Sequence, residues 1–178
     1  MIKLIKLIDH EIVYWEVWED DKTLQVHYGV VGETGETEEV KLRIFEKAEK
    51  VMKKLAEEKL NEGYEHLDEE ELIELVVQYP YEESQMKEAL DGRHNVEDLM
   101  NECLGWTGNG FCDGGDIGSG TTNVVNYVID AKKALKTITI ELSNNNFLEK
   151  AKIAYLGKDE EYVCLYPEGA DFDLLLYS

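Results

Sequence analysis

A glycine-rich run in the second half of the chain constrains the fold more than any other feature. Residues 105–120 contain seven glycines in sixteen positions. Glycine destabilises a helix interior by about 1 kcal/mol relative to alanine, so this density excludes a helix. The run is therefore expected to be a loop or a bulged strand, with regular elements on either side of it.

Residues 1–67 are predicted to form strands followed by one helix. Three segments are rich in β-branched and aromatic residues or alternate in polarity, and these predicted strands are residues 12–18, 23–31 and 37–45. Apolar residues at intervals of three and four predict a helix over residues 46–61, which Gly63 ends. This part is therefore expected to be an antiparallel sheet with a helix across it.

The rest of the chain is predicted to be a helical connector and a second domain. The acidic connector covers residues 68–104: a helix opens at Asp68 and ends at Pro80, and two shorter helices follow, the second capped by Asn95. Residues 105–178 then form a domain of βαββ order. Its predicted elements are a strand over 121–129, a helix capped by Asp130, and a hairpin of residues 152–156 and 162–166. The predicted fold class is α+β.

The charge balance restricts the partners of the chain. Asp and Glu number 39 against 18 Lys and Arg, which leaves a formal charge of −21. Residues 1–67 contribute −6 and residues 68–178 contribute −15, so negative charge is concentrated in the second half. Such a surface repels phosphate backbones and anionic membranes, which disfavours nucleic acid as a partner. Nucleic-acid binding by residues 1–67, the less acidic part, remains an alternative.

Cysteine usage and the apolar runs predict the compartment. Three cysteines, an odd number, do not form a disulfide framework, and no apolar run approaches the roughly 20 residues of a membrane span. The first eight residues mix lysine into an alternating apolar pattern and lack the long apolar stretch of a signal peptide. These features predict a cytoplasmic protein without a membrane partner.

The end of the second predicted strand carries a recognisable motif. It reads Tyr28-Gly29-Val30-Val31-Gly32-Glu33-Thr34-Gly35. This stretch resembles the signature of WGR domains, which is Trp-Gly-Arg, one apolar residue, Gly, two variable positions and Gly. The family also has a similar strand and turn before this motif, and a helix that ends as this one does at Gly63-Tyr64. The resemblance therefore covers roughly residues 11–66.

The resemblance implies a small sheet-and-helix domain, which in some poly(ADP-ribose) polymerases contacts DNA ends. Gly29, Gly32 and Gly35 match the family glycines and are expected to serve the turn. Tyr28 replaces a tryptophan that family members can stack on a nucleotide, and it keeps an aromatic face. Val30 replaces the arginine, so phosphate pairing is lost at that position. The candidate binding residues of this domain are Trp18, Tyr28, Gly29, Gly32, Gly35, Lys41 and Arg43.

The glycine-rich run fits none of the common phosphate or metal motifs. No lysine follows its glycines as a phosphate loop requires, and Asp113 and Asp116 would repel phosphate. The two carboxylates could donate oxygens to a cation, but their spacing is not that of a calcium loop and histidines are remote. We therefore predict no metal and no cofactor, and we retain Trp106, Asp113 and Asp116 as residues of functional interest. This half otherwise resembles only small uncharacterised bacterial proteins.

The residues suggest binding rather than catalysis. The three cysteines lack adjacent basic residues, and Ser119 is not in a nucleophile-elbow motif. The leading hypothesis is a non-enzymatic cytosolic module that binds a protein, in one version a basic protein. One alternative is residual nucleic-acid-end binding through the WGR-like domain, and another is a metal-dependent hydrolase that uses Asp113 and Asp116.

Overall fold

The structure, a computed structural model, describes residues 1–174, which divide into two compact units: Met1–Glu70 and the residues from Glu71 onward. Within that range each unit contains one five-stranded antiparallel sheet, and the chain has three α-helices. The α+β fold class is thus confirmed. None of the described helices is long and apolar enough to cross a bilayer.

The first unit is a meander of strands crossed by one helix. Its elements are β1 (Ile2–Ile8), β2 (Glu11–Asp20), β3 (Thr23–Val30), β4 (Glu36–Lys41), α1 (Ala48–Asn61) and the short β5 (Glu65–His66). They are arranged in the order β4-β3-β2-β1-β5. The first strand is absent from the sequence prediction, although residues 2–8 contain three β-branched isoleucines, which favour a strand.

One face of this sheet packs against α1. The buried residues of this core are Leu4, Trp15, Val17, Leu24, Val26, Ala48 and Ala56. Trp15 and Trp18 are three positions apart in an extended strand, so they lie on opposite faces of the sheet. Trp15 belongs to the core under α1, whereas Trp18 is half-buried on the other side.

The second unit has two helices on one face of its sheet. Its elements are β6 (Ile73–Pro80), α2 (Met86–Trp106), β7 (Gly110–Gly118), β8 (Thr121–Val128), α3 (Ala131–Asn144), β9 (Lys152–Leu156) and β10 (Tyr162–Tyr166). The strand order is β10-β9-β6-β8-β7. The core lies between the sheet and the helices and includes Leu75, Val77, Met100, Leu104, Val124, Ile138 and Ile153. Asp130 caps α3 as expected, because its carboxylate accepts from the amide of Lys133 at 2.9 Å.

The structure corrects the expected connector over residues 68–104. The predicted helix ending at Pro80 is β6, the central strand of the second sheet, and the acidic run before it forms only a 3-10 turn over Glu69–Glu71. Leu75, Val76 and Val77 are all fully buried, which is typical of a strand covered on both faces. Residues 86–106 form one continuous helix, so Asn95 caps nothing.

Most of the glycine-rich run, residues 110–118, forms the bulged strand β7, whereas Gly105 and Trp106 are the last residues of α2 rather than part of a loop or strand. The register of β7 against β8 shifts between Cys112 and Gly114, and Gly114 has a φ of +111°. A Cβ atom at Gly110 would lie 2.0 Å from the carbonyl oxygen of Tyr127, and one at Gly115 would lie 2.2 Å from that of Asn123. The glycines therefore allow β7 to approach β8 closely around a bulge.

Candidate functional site

Tyr28, the aromatic residue of the WGR-like motif, lies beside two carboxylates. Its hydroxyl donates to Glu38 Oε1 at 2.8 Å and to Glu36 Oε2 at 3.3 Å, both on the edge strand β4. The hydrogen bond to Glu38 is the main cause that raises the pKa of Tyr28 to about 12. A base stacked on this ring would therefore bring its phosphates close to negative charge.

The motif glycines are placed where a side chain would be crowded, at Gly29 and Gly35, or where the backbone has a positive φ, at Gly32. A Cβ atom at Gly35 would lie 2.1 Å from the hydroxyl of Tyr14 and 2.5 Å from the carbonyl oxygen of Tyr28. At Gly29 it would lie 3.0 Å from the Cα of Gly35, and Gly32 has a φ of +86°. All three positions thus serve the tight β3–β4 connection, which is the turn role expected from the sequence.

A buried polar network lies on the face of the first sheet opposite α1. His27 Nδ1 contacts Glu16 Oε1 at 2.8 Å, and its Nε2 contacts the hydroxyl of Tyr14 at 3.0 Å. Lys3 Nζ forms an ion pair with Glu16 Oε2 at 3.2 Å, and Trp18 places its ring edge-on to that of His27 with centroids 6.4 Å apart. Lys3, Glu16 and His27 come from three adjacent strands and are opposite one another in register.

This network resembles a hydrogen-bonded catalytic relay in its connectivity but not in its access. Tyr14 is fully buried and only 1% of the surface of His27 is exposed. Burial is the largest cause that raises the pKa of Tyr14 above its usual value, so the hydroxyl ionises only at a more alkaline pH than that of an exposed tyrosine. A group that no substrate can reach stabilises the sheet instead.

Lys41 and Arg43 belong to a basic segment that runs from the last residue of β4 into α1. Residues 41–54 hold six basic side chains and two acidic ones. The basic ones are Lys41, Arg43, Lys47, Lys50, Lys53 and Lys54. Ile44 and Phe45 in the same segment are 85% and 100% exposed, and Phe45 borders one shallow groove together with Lys47, Lys50 and Lys54. Lys41 and Arg43 thus lie within four residues, along the chain, of an exposed aromatic residue other than Tyr28.

The second sheet has an outer face, defined as the face turned away from α2 and α3. Its strand residues include Phe111, Asp116, Asn123, Tyr127, Glu74, Gln78, Lys152 and Tyr162. Asp116 Oδ1 accepts from the amide of Asn123 at 2.8 Å, and Asn123 in turn accepts from Gln78 at 2.9 Å. Asp113 is exposed at the bulge of β7. The structure therefore brings Asp116, but not Trp106, into this polar row; the indole nitrogen of Trp106 donates to Glu102 at 3.0 Å.

Glu74 lies between two pairs of aromatic rings on the outer face. Tyr162 donates to one of its carboxylate oxygens, and Tyr127 donates to the other at 3.5 Å. The ring of Phe111 lies 5.8 Å from that of Tyr127, and the ring of Phe172 lies 5.3 Å from that of Tyr162. Burial, followed by the negative charges of Glu74 and Asp113, raises the pKa of Tyr127.

The metal hypothesis gains no support from this geometry. Within residues 1–174, no three side chains of His, Cys, Asp or Glu come together as a metal site requires. Burial raises the pKa of the Cys103 thiol to about 12, and it also raises that of Cys112, so neither is an activated nucleophile.

Sequence reasoning missed the Glu16–His27 contact and the surroundings of Glu74. The first follows from register: a two-residue loop at Asp21-Lys22 sets Glu16 opposite His27. The second required residues 73–80 to be recognised as a strand, because only then do Glu74 and Tyr127 face the same side.

Comparisons with protein-family models, with curated proteins and with solved structures find no match. The resemblance to WGR domains therefore stays a prediction.

Proposed function

We propose that the chain is a non-enzymatic module that binds a protein partner with a basic surface, and that it does so through the outer face of the second sheet. One observation carries the proposal: the centre of this face is buried, but its margin on β7 and β8 combines the carboxylate of Asp113 with the exposed ring of Phe111 and the half-exposed ring of Tyr127. Among its described strand residues the only basic one is Lys152, whose ammonium group donates to the carbonyl of Asp171 at 2.6 Å. Aromatic and acidic side chains together suit the arginine- and lysine-rich surface of another protein.

The charge of the whole chain supports this type of partner. A formal charge of −21 creates a field that accelerates encounter with a cationic protein and weakens as salt increases. All three cysteines are free thiols, which supports a reducing compartment such as the cytoplasm for the module.

Affinity capture on the full chain tests the proposal. Immobilised protein is exposed to an extract of the source cells at low and at high salt, and bound proteins are identified by mass spectrometry. We expect basic proteins that are released by salt. Capture should fall for the double variant Asp113→Asn and Asp116→Asn but not for Glu57→Gln and Glu58→Gln on α1, which remove the same charge elsewhere. Partners that are not basic, or equal capture by both double variants, would refute the proposal.

A second candidate function is nucleic-acid binding, and it is favoured by the basic segment rather than by Tyr28. Lys41, Arg43, Lys47 and Lys50 form no ion pair within the described residues, so their charges are available to phosphate. Phe45 is fully exposed among them and offers a ring on which a base can stack.

Fluorescence anisotropy with labelled nicked and blunt DNA tests this candidate on the full chain. If it holds, binding weakens steeply with salt and is lost in the double variant Lys47→Glu and Lys50→Glu. Binding should persist in Lys132→Glu and Lys136→Glu, which change two exposed lysines of α3. No binding at low salt, or an equal loss in both double variants, counts against it.

A further inference from the structure

Glu74 carries a charge that nothing in the described part of the chain neutralises. No Lys, Arg or His side chain among residues 1–174 forms an ion pair with it; its described hydrogen-bond donors are the hydroxyls of Tyr127 and Tyr162. Tyrosine hydroxyls orient the carboxylate but bring no positive charge. A half-buried carboxylate without a counter-ion attracts a cation more strongly than a fully solvated carboxylate does, because the effective dielectric constant around it is lower.

The rings around Glu74 add a second attraction for a cation. Phe111 and Tyr127 form one aromatic pair and Tyr162 and Phe172 form the other, so aromatic surface lies on both sides of the carboxylate. The face of an aromatic ring attracts a cation within about 6 Å of its centre. Phe111 is 39% exposed, so one wall of this arrangement is open to a partner.

From this arrangement we infer that Glu74 and its flanking rings bind an arginine side chain of the partner protein. The planar guanidinium group matches the two carboxylate oxygens and stacks on aromatic rings, whereas a lysine ammonium group is a strongly hydrated point charge. Asp113 adds negative charge near Tyr127 and so favours the same ligand. The inference rests on the proposed function and names the side chain that the outer face recognises.

Anisotropy with fluorescein-labelled oligo-arginine and oligo-lysine peptides of equal length tests the inference on the full chain. We expect tighter binding of oligo-arginine. Glu74→Gln should weaken that binding about tenfold, the scale of one charge-assisted hydrogen bond. Glu57→Gln on α1 removes the same charge outside the site and should have a much smaller effect.

A second variant keeps the test independent of the stability of Glu74→Gln. Phe111→Leu keeps an apolar side chain but removes the ring, and it should lower the preference for arginine over lysine. Phe45→Leu, the same change at a fully exposed ring of the first unit, should not. Circular dichroism confirms that each variant is folded.

The outcomes separate the inference from the proposed function. Loss of oligo-arginine binding in Glu74→Gln together with loss of preference in Phe111→Leu supports the inference. Equal binding of both peptides, with Glu74→Gln behaving like Glu57→Gln, overturns the arginine site and leaves the acidic module standing. No binding of either peptide at low salt overturns both.

Discussion

The two sheets each hold a carboxylate beside tyrosines, and they satisfy it in opposite ways. Glu16 in the first unit is almost fully buried and contacts both Lys3 and His27. Glu74 in the second unit is half-exposed, and its described hydrogen bonds come only from the hydroxyls of Tyr127 and Tyr162. The first carboxylate has its counter-charge within the chain and acts as structure. The second is oriented but not neutralised, which is the condition expected of a binding site.

Among the variants that test this comparison, removal of Glu16 should cause the largest loss of stability. Glu16→Ala leaves the buried His27 and the half-buried Lys3 without their shared carboxylate, and we expect the free energy of unfolding to fall by about 3 kcal/mol or more. Denaturant unfolding followed by circular dichroism measures the loss. Glu19→Ala, an exposed position on the same strand, is the control and should change stability by less than about 0.5 kcal/mol. Equal stability of the two variants would mean that the network does not stabilise the sheet.

Alkaline pH should reveal the tyrosines whose pKa the fold raises. Burial is the largest cause that raises the pKa values of Tyr14, Tyr79 and Tyr162 above those of the unfolded chain. The unfolded chain therefore loses these protons first, near pH 10, while the folded chain retains them. The resulting contribution to stability is fully present below about pH 10 and declines as the pH rises further.

Absorbance at 295 nm, which reports tyrosinate, measures this effect. At pH 11 the native chain should ionise clearly fewer than its ten tyrosines, and the rest should ionise together with unfolding. Tyr14→Phe should remove one of the late-ionising groups. Ionisation of all tyrosines at their ordinary pKa values in the folded chain would contradict the prediction.

The fold of the second unit could be predicted from the sequence only where a strand has a pattern that a helix does not share. The β9–β10 hairpin follows from alternation alone, and its bounds agree with the prediction residue by residue. The central strand β6 does not, because an acidic start and an apolar run over residues 72–77, interrupted only by Glu74, also suit a helix. Only pairing with β8 and β9 decides between them, and that pairing is long-range.

In the candidate sites, too, the features set by local sequence could be predicted and those set by long-range pairing could not. The turn role of Gly35 agrees with its motif spacing, since a local close approach requires glycine there. Glu74, one of many acidic residues, could not be singled out, because its neighbours come from β8, β10 and the segment after β10. In a sequence with many acidic residues, a binding carboxylate cannot be distinguished from the others until the fold shows which of them lack a counter-charge.

Removal of the Tyr162 hydroxyl should have a moderate effect and sharpen the contrast with Glu16. Tyr162→Phe deletes one donor to Glu74 and should lower the free energy of unfolding by about 1 kcal/mol. Tyr127→Phe removes a longer hydrogen bond, at 3.5 Å, and should cost less. Both are measured by denaturant unfolding. A loss as large as that of Glu16→Ala would show that Glu74 is a structural residue of the same kind.

The smallest effect on stability is expected at Phe45. This ring is 100% exposed and lies outside the core of the first unit, so Phe45→Ala removes no buried surface. The free energy of unfolding should change by less than about 0.5 kcal/mol. Trp15→Ala in the core beneath α1 is the opposite case and should cost about 3 kcal/mol or more. A large loss in Phe45→Ala would mean that the ring is packed in solution. An unchanged stability would leave a large apolar side chain in water among lysines, a costly surface to maintain unless a partner uses it.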